Sequence, residues 1–89
     1  MRDPNGLVIF GGTASSELAT QICDYLKIKR GRATVSRFPD GETLVKIDDD
    51  VRGKDCFLVQ STCPPVNDNL MELLIFIDCL RRASANRIT

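Results

Sequence analysis

Apolar and polar residues follow one another along the start of this chain in the order of a strand, a tight turn and a helix. Residues 7–10 form a short apolar run that ends at Gly11-Gly12, and residues 15–26 then carry apolar side chains at helical spacing. Ser15 or Ser16 is the expected N-cap, because a hydroxyl can accept a hydrogen bond from the amides of the first helical turn. The pattern therefore predicts a β-turn-α opening.

Two further strand-like runs, residues 33–38 and 43–47, flank the sequence Pro39-Asp40-Gly41-Glu42. Proline sets φ for a turn, aspartate bonds to its local backbone and glycine tolerates positive φ, so this sequence predicts a β-hairpin. Its strands mix apolar and polar positions, and we expect the hairpin to be half buried. A charged connection then leads to residues 56–60, which predict a buried strand.

The C-terminal third of the chain predicts a long helix over residues 67–83, followed by the start of another strand at residues 87–89. Apolar residues occupy nearly every face of this helix, so we expect it to be buried in the middle of an α/β layer, with Leu74 in the core. Asn67-Asp68-Asn69 would cap the helix or form a polar ligand cluster. Asp78 and Arg82 are spaced to form an i,i+4 ion pair.

Together these elements predict an α/β fold with a partly parallel sheet, flanked by helices and carrying an inserted β-hairpin. A helix that is apolar on so many faces needs neighbours on more than one side. In addition, a strand pattern begins where the 89 residues end. We therefore expect the chain to be a piece of a larger protein, and this piece to form one domain at most.

Composition excludes several classes of partner. Lysine plus arginine equal aspartate plus glutamate at 12 each, so the chain lacks the basic surface that nucleic acids or anionic membranes would require. The longest apolar run, residues 70–80, is interrupted by Glu72 and Asp78 and is shorter than the ~20 residues of a membrane span. The N-terminus has no apolar core of a signal peptide. These features predict a cytoplasmic protein that binds neither nucleic acid nor membrane.

The 4 cysteines and the absence of histidine narrow the chemistry further. No C-x-x-C pair is present, and a zinc site without histidine would need two such pairs. Cys23, Cys56 and Cys79 lie within apolar stretches, where we expect reduced, buried thiols. No nucleophile with an activating base can be assembled, so the chain alone does not predict a self-sufficient enzyme.

Several polar groups have a functional and a structural interpretation, and the residues alone do not decide between them. Gly11-Gly12-Thr13 could cradle a phosphate at a helix start, or serve only a tight turn. The segment 38–42 could bind a base through its aromatic ring and carboxylates, or be an ordinary surface turn. Arg52 and Ser84 could face an anion, although exposed arginines are usually just solvated.

Four segments together resemble a known family: FGGTASSELA, RFPDGE, VRGKDCFLVQST and NDNLMELL. In this order and spacing they are similar to the N-terminal domain of ribose-phosphate pyrophosphokinases, also called phosphoribosyl diphosphate synthetases. The resemblance implies transfer of diphosphate from ATP to ribose 5-phosphate, giving phosphoribosyl diphosphate and AMP. It also implies a requirement for Mg²⁺, a type I phosphoribosyltransferase-like fold and assembly as a homo-oligomer, a hexamer when full length.

The resemblance also assigns residues. It implies that the hairpin turn reaches a neighbouring subunit's active site and contacts the adenine of ATP. In this sequence that role falls on Phe38 beside the base and on Asp40, Gly41 and Glu42 along its amino edge.

A second set of residues corresponds to the family's effector site for phosphate and ADP: Asp50, Arg52 and Ser84. Arg52 suits an anion as a hydrogen-bond donor. Asp50 departs from the hydroxyl residue of some family members and would repel an anion, which weakens the prediction of effector binding.

In the family, the ATP-binding Arg-Gln pair, the metal ligands and the catalytic loop follow the position of Ile88. We therefore expect residues 1–89 to be an N-terminal domain that is incomplete at its C-terminal end. It would hold no catalytic residue and no Mg²⁺ ligand, and it would be inactive alone. Two alternatives remain: a non-catalytic regulatory relative, and a nucleotide-binding or oligomerisation module.

Overall fold

The secondary structure of the chain follows the predicted order closely. The computed structural model describes residues 6–89, and the predicted bounds of its main strands and helices agree with it to within one residue. The elements are β1 (Leu7–Gly11), a 3₁₀ turn (Thr13–Ser15), α1 (Ser16–Leu26), β2 (Ala33–Arg37), β3 (Thr43–Ile47), β4 (Asp55–Val59), α2 (Val66–Arg82) and β5 (Arg87–Ile88).

The strands form two separate sheets. One is parallel, with the order β1-β4-β5 and a register that places Leu7 opposite Asp55. The other is the antiparallel β2–β3 hairpin, in which Ala33 lies opposite Ile47 and Arg37 opposite Thr43. This arrangement confirms the predicted α/β fold with a parallel sheet and an inserted hairpin.

The core lies where α2 meets both the sheet and the hairpin. Phe10 of β1 and Phe76 of α2 pack with ring centroids 5.6 Å apart in a tilted arrangement. The fully buried Leu80 and the buried Val45 of β3 join the same apolar cluster. The thiol of Cys79 also donates a hydrogen bond to the Val45 carbonyl, with 3.3 Å between sulfur and oxygen. Helix α2 therefore holds the hairpin against the rest of the domain.

The burial of α2 differs from the prediction. Leu74 is 52% exposed, whereas Glu72 is completely buried. At 3.6 residues per turn these two positions lie about 160° apart around the helix. The helix packs along a single face, and that face is set by what the hairpin and the sheet present to it. The expectation that Leu74 lies in the core was wrong.

The predicted N-cap of α1 has the right position but not the expected capping bond, and the predicted cap of α2 was wrong. Helix α1 does follow Ser15, but the Ser15 hydroxyl accepts a hydrogen bond from the backbone N–H of Ser61 at 2.8 Å and makes no capping bond. The N-cap of α2 is Pro65, and the side chain of Asn69 donates to the carbonyl of Cys63 at 2.7 Å. The Ser15 hydroxyl thus joins two segments 46 residues apart, and Asn69 holds the loop directly before α2; neither satisfies the amides of its own helix.

The prediction of a buried strand at residues 56–60 held only in part, because Cys56 of β4 is buried but Phe57 is 42% exposed. Other local expectations were confirmed. Arg82 donates to Asp78 across one helical turn at 2.8 Å. The cysteines are free thiols, and burial raises the pKa of the buried Cys23 and Cys56; Cys79, also expected to be buried, is only half buried. Within the described residues, no helix combines the length and the apolar character that crossing a membrane would require.

Candidate functional site

The hairpin turn is a self-supporting structure. The N–H of Phe38 donates to the Glu42 carbonyl at 2.8 Å, and the N–H of Gly41 donates back to the Phe38 carbonyl at 2.9 Å. Asp40 accepts a hydrogen bond from the Glu42 N–H through Oδ1 at 3.0 Å. Gly41 has φ +92°, a conformation that side-chain-bearing residues rarely adopt. The sequence Phe-Pro-Asp-Gly-Glu therefore fixes the shape of its own turn.

This turn presents an aromatic ring and two carboxylates on one exposed tip. The Phe38 side chain remains 44% exposed although it is large and apolar, and Asp40 and Glu42 are exposed as well. A planar base can stack on an aromatic face, and carboxylate oxygens accept hydrogen bonds from amino or hydroxyl groups. The tip therefore offers the kinds of contact that a purine base can use.

The residues assigned to an effector site lie near one another in a different place. The N–H of Gly53 donates to the Ser84 carbonyl at 3.0 Å, which joins the loop before β4 to the end of α2. Asp50 Oδ1 accepts a hydrogen bond from the Arg52 N–H at 3.1 Å. All three side chains, Asp50, Arg52 and Ser84, are exposed. The structure thus brings the two segments together and keeps the Asp50 carboxylate beside Arg52, where it would oppose anion binding.

A groove of about 550 Å³ runs between the segment after α1 and the segment after β3. Asp50 lines it together with Lys54, but Arg52 and Ser84 do not. Asp49 also lines the groove and accepts a hydrogen bond from the Arg32 backbone N–H at 2.7 Å. This backbone hydrogen bond, together with the Arg32 guanidinium, holds the pKa of Asp49 below its ordinary value. The effector residues therefore do not all share one cavity.

The two candidate sites lie at opposite ends of the hairpin. Strands β2 and β3 have 5 residues each, and a strand rises by about 3.3 Å per residue, so the turn and the effector loop are roughly 15 Å apart along the hairpin axis. A ligand at the turn would not contact the effector loop of the same chain.

The Gly11-Gly12-Thr13 turn has internal partners for its amides. The N–H of Thr13 donates to Glu72 Oε2 at 2.7 Å, and the N–H of Gly12 donates to the Val59 carbonyl at 2.9 Å. A Cβ atom on Gly12 would overlap the side-chain amide of Gln60. The Glu72 carboxylate lies where a bound phosphate would have to accept from the Thr13 amide. Close packing against Gln60 explains why residue 12 is a glycine. The structure favours the structural interpretation of this turn.

The ionic cluster around Glu72 was not predicted from the sequence. Nη2 of Arg37 lies 2.6 Å from Oε1 of Glu72, and the Thr13 hydroxyl donates to the same oxygen at 2.7 Å. Arg37 also lies 3.9 Å from the Asp68 carboxylate. The signal that could have revealed this cluster was Glu72 itself, an acidic residue among apolar neighbours in a helix predicted to be buried. A carboxylate at a buried position needs hydrogen-bond donors or a cation beside it.

Residues 6–89 contain no group of three or more histidine, cysteine, aspartate or glutamate side chains placed to hold a metal ion. In proteins, Mg²⁺ is usually coordinated by carboxylate oxygens. The Glu72 carboxylate is already engaged by three donors, from Thr13 and Arg37. These residues therefore do not fit a Mg²⁺ site made by this part of the chain alone.

The chain is similar to one family of enzymes along almost its whole length. The family model for the N-terminal domain of ribose phosphate pyrophosphokinase matches residues 7–89. A protein named ribose-phosphate pyrophosphokinase from Rhodopirellula baltica is 60% identical over 83 residues, which cover 93% of this chain and 26% of that protein. One of the same name from Burkholderia pseudomallei is 55% identical over 89 residues, covering 100% of this chain and 28% of that protein.

A solved structure supports the same relationship. The crystal structure of phosphoribosylpyrophosphate synthetase from Mycobacterium smegmatis superposes with a TM-score of 0.89 at 44% sequence identity. The superposition covers 93% of this chain and 28% of the other. The chain thus spans about a quarter of the length of these relatives, from 26% to 28%.

Proposed function

The chain belongs to the family of ribose-phosphate pyrophosphokinase N-terminal domains, and from this premise we propose that it contributes the adenine-binding hairpin to such an enzyme. The reaction is transfer of diphosphate from ATP to ribose 5-phosphate, which yields phosphoribosyl diphosphate and AMP. The substrates are then ATP and ribose 5-phosphate, and the place of action is the cytoplasm.

One observation carries this proposal for the hairpin. Phe38 keeps 44% of its surface exposed at a turn that its own backbone hydrogen bonds close, with the carboxylates of Asp40 and Glu42 beside it. An exposed ring beside acceptors for an exocyclic amine suits adenine. Gly41 allows the turn its positive φ, which a residue with a side chain would adopt only with strain.

The chemistry of the reaction depends on other parts of the enzyme. Phosphoryl transfer is catalysed mainly by positioning and by neutralising charge with Mg²⁺ and cationic side chains. Residues 6–89 hold no cluster that could bind the metal, so its ligands would belong to another part of the enzyme. In this proposal the domain positions the nucleotide, and it is inactive by itself.

The proposal extends to assembly and regulation. We propose that the hairpin turn reaches into the active site of a neighbouring subunit. The enzyme would then act as a homo-oligomer, and we propose a hexamer. Arg52 and Ser84 contribute to an effector site for phosphate or ADP, with Asp50 lowering its affinity. The exposure of all three side chains and the Gly53–Ser84 hydrogen bond support this assignment.

The test uses a full-length pyrophosphokinase that carries residues 7–89 of this sequence as its N-terminal segment. Asp40→Ala and Glu42→Ala should each raise KM for ATP by about tenfold, the effect of one lost hydrogen bond to a charged group. KM for ribose 5-phosphate should change by less than about twofold. Asp24→Ala removes an exposed carboxylate on α1 and should leave both KM values unchanged.

Equal effects of the tip variants on the two substrates would contradict the adenine assignment. If the full-length protein bound ATP but showed no turnover under any condition, the regulatory relative would replace the enzyme as the best interpretation. Binding of ATP by the 89-residue chain alone would favour an independent nucleotide-binding module.

A further inference from the structure

Glu72 stands out as a charged side chain in the interior of the domain. Its exposed fraction is 0%, and among the described residues it is the one charged residue that is buried. An unpaired buried carboxylate is strongly unfavourable, and such a group persists only where donors satisfy both oxygens. Here Oε2 accepts from the Thr13 N–H at 2.7 Å, while Oε1 accepts from the Thr13 hydroxyl at 2.7 Å and from Arg37 at 2.6 Å.

These donors come from separate parts of the chain. Glu72 lies on α2, Thr13 lies in the turn after β1, and Arg37 is the last residue of β2. The sequence separations are 59 residues for Thr13 and 35 for Arg37. The carboxylate therefore ties the end of the parallel sheet and the end of the hairpin to a single point on α2.

Arg37 is the residue immediately before Phe38. The hairpin is also held at Val45, which is buried against α2 and bonded to Cys79, and at its partner Val35, which packs against the core; this pair lies two residues further from the turn than Arg37. The Arg37–Glu72 ion pair is thus a restraint at the turn end of the hairpin. Without it, the part of the hairpin beyond the Val35–Val45 pair could change its orientation while the strands stayed paired.

We propose that Glu72 is a positioning residue for nucleotide binding, acting through Arg37 to fix the orientation of the Phe38 turn. The inference rests on the proposed function of that turn. Glu72 does not touch the nucleotide, because it is completely buried. Its carboxylate sets the direction of Arg37, and Arg37 sets the path of the backbone into the turn.

The exposure of Arg37 explains why losing the pair would act on the turn. The Arg37 side chain is 36% exposed, so without Glu72 its guanidinium keeps only water and the exposed Asp68 carboxylate, 3.9 Å away, as partners. The penalty for an unpaired arginine is therefore modest, and the main consequence is freedom of the hairpin end. If the hairpin samples several orientations, only the correctly oriented fraction binds the ligand, and the apparent affinity falls in proportion to that fraction.

The test compares three variants in the full-length enzyme that carries residues 7–89. Glu72→Gln keeps the shape but removes the charge, and Arg37→Met removes the same pair from the other side. Arg32→Met is the matched control, because Arg32 forms a 2.9 Å ion pair with Asp49 beyond the opposite end of β2. For each variant we would measure KM for ATP, KM for ribose 5-phosphate, kcat and the melting temperature.

We expect Glu72→Gln and Arg37→Met each to raise KM for ATP by about tenfold, with KM for ribose 5-phosphate within about twofold of the parent. KM for ATP of the double variant should be no higher than that of the more affected single variant, because both substitutions remove the same interaction. Arg32→Met should leave both KM values unchanged. This split between substrates is a result that a purely structural role of Glu72 would not produce.

Other outcomes separate the inference from the proposed function. If Asp40→Ala raises KM for ATP while Arg37→Met lowers only the melting temperature, Glu72 is not a positioning residue and the adenine-binding turn stands. If Asp40→Ala has no effect on ATP, the proposed function fails and the inference fails with it. Arg37→Met leaves the buried Glu72 carboxylate without its cationic partner, so the double variant, in which neither charge is present, decides the matter if either single variant does not fold.

Discussion

Replacing Leu80 or Leu74 by alanine tests the observed orientation of α2. Leu80 is fully buried and Leu74 is 52% exposed, although both are leucines in the same apolar run. The two positions lie about 120° apart around the helix. If the helix were buried on all sides, both substitutions would strongly lower the free energy of unfolding. If it packs along one face, only Leu80→Ala should do so.

The magnitudes follow from burial. Truncating a fully buried leucine removes its transfer free energy and leaves a cavity, so Leu80→Ala should reduce the free energy of unfolding by about 2–5 kcal/mol. Full burial of a leucine side chain is worth about 1.5–3 kcal/mol, and Leu74 keeps only about half of that. Its truncation also opens no closed cavity. Leu74→Ala should therefore cost about 1 kcal/mol or less.

The assay is urea unfolding of the 89-residue chain, followed by far-ultraviolet circular dichroism with the parent and both variants side by side. Equal m-values would show that the variants change stability and not the extent of unfolding. Equal losses for the two variants would refute the one-sided packing of α2. A larger loss for Leu74→Ala would mean that the helix is rotated about its axis relative to this structure.

Two further predictions concern the region around the parallel sheet and the groove. Gly31→Ala should destabilise the chain by about 1–3 kcal/mol, because the new Cβ would lie 2.7 Å from Cε1 of Phe10. The control is Gly6→Ala, whose Cβ would have no described atom within 4 Å, and it should be near neutral in the same urea titration. The lowered pKa of Asp49 means that its contact with Arg32 stabilises the fold above the ordinary value of 3.8 and that this contribution is lost as the pH falls through the lower, folded pKa. The stability gap between the parent and Asp49→Asn should therefore be present at neutral pH and close on acidification, and a gap that stayed constant would contradict the assignment.

The element order and the fold class could be predicted from the sequence, because they depend on local patterns. Gly31 ends the segment after α1, and Pro39-Asp40-Gly41 forces a turn between two strand-like runs. The resemblance of four motifs to one family gave the relationship that the comparisons with known proteins later confirmed. Such signals lie within a few residues of one another, so periodicity and turn chemistry are enough to identify them.

The residues of the candidate site could be predicted only in part from local sequence patterns. The motif that contains Phe38 and Asp40 pointed to the hairpin turn, but nothing local indicated that Glu72 and Arg37 would meet beneath it. Their interaction joins residues 35 positions apart, and the pairing with Thr13 spans 59. Local patterns carry no information about which distant donor will face a given acceptor.

What the sequence alone determined is therefore the list of elements, their order and the turn that closes the hairpin. The tertiary structure decided which face of α2 is buried, so that the charged Glu72 lies inside and the apolar Leu74 lies at the surface. It also decided that the Thr13 amide bonds to a carboxylate of the protein. The physical reason is that a buried charge is stable only beside its donors, and only the folded arrangement of sheet, hairpin and helix brings those donors together.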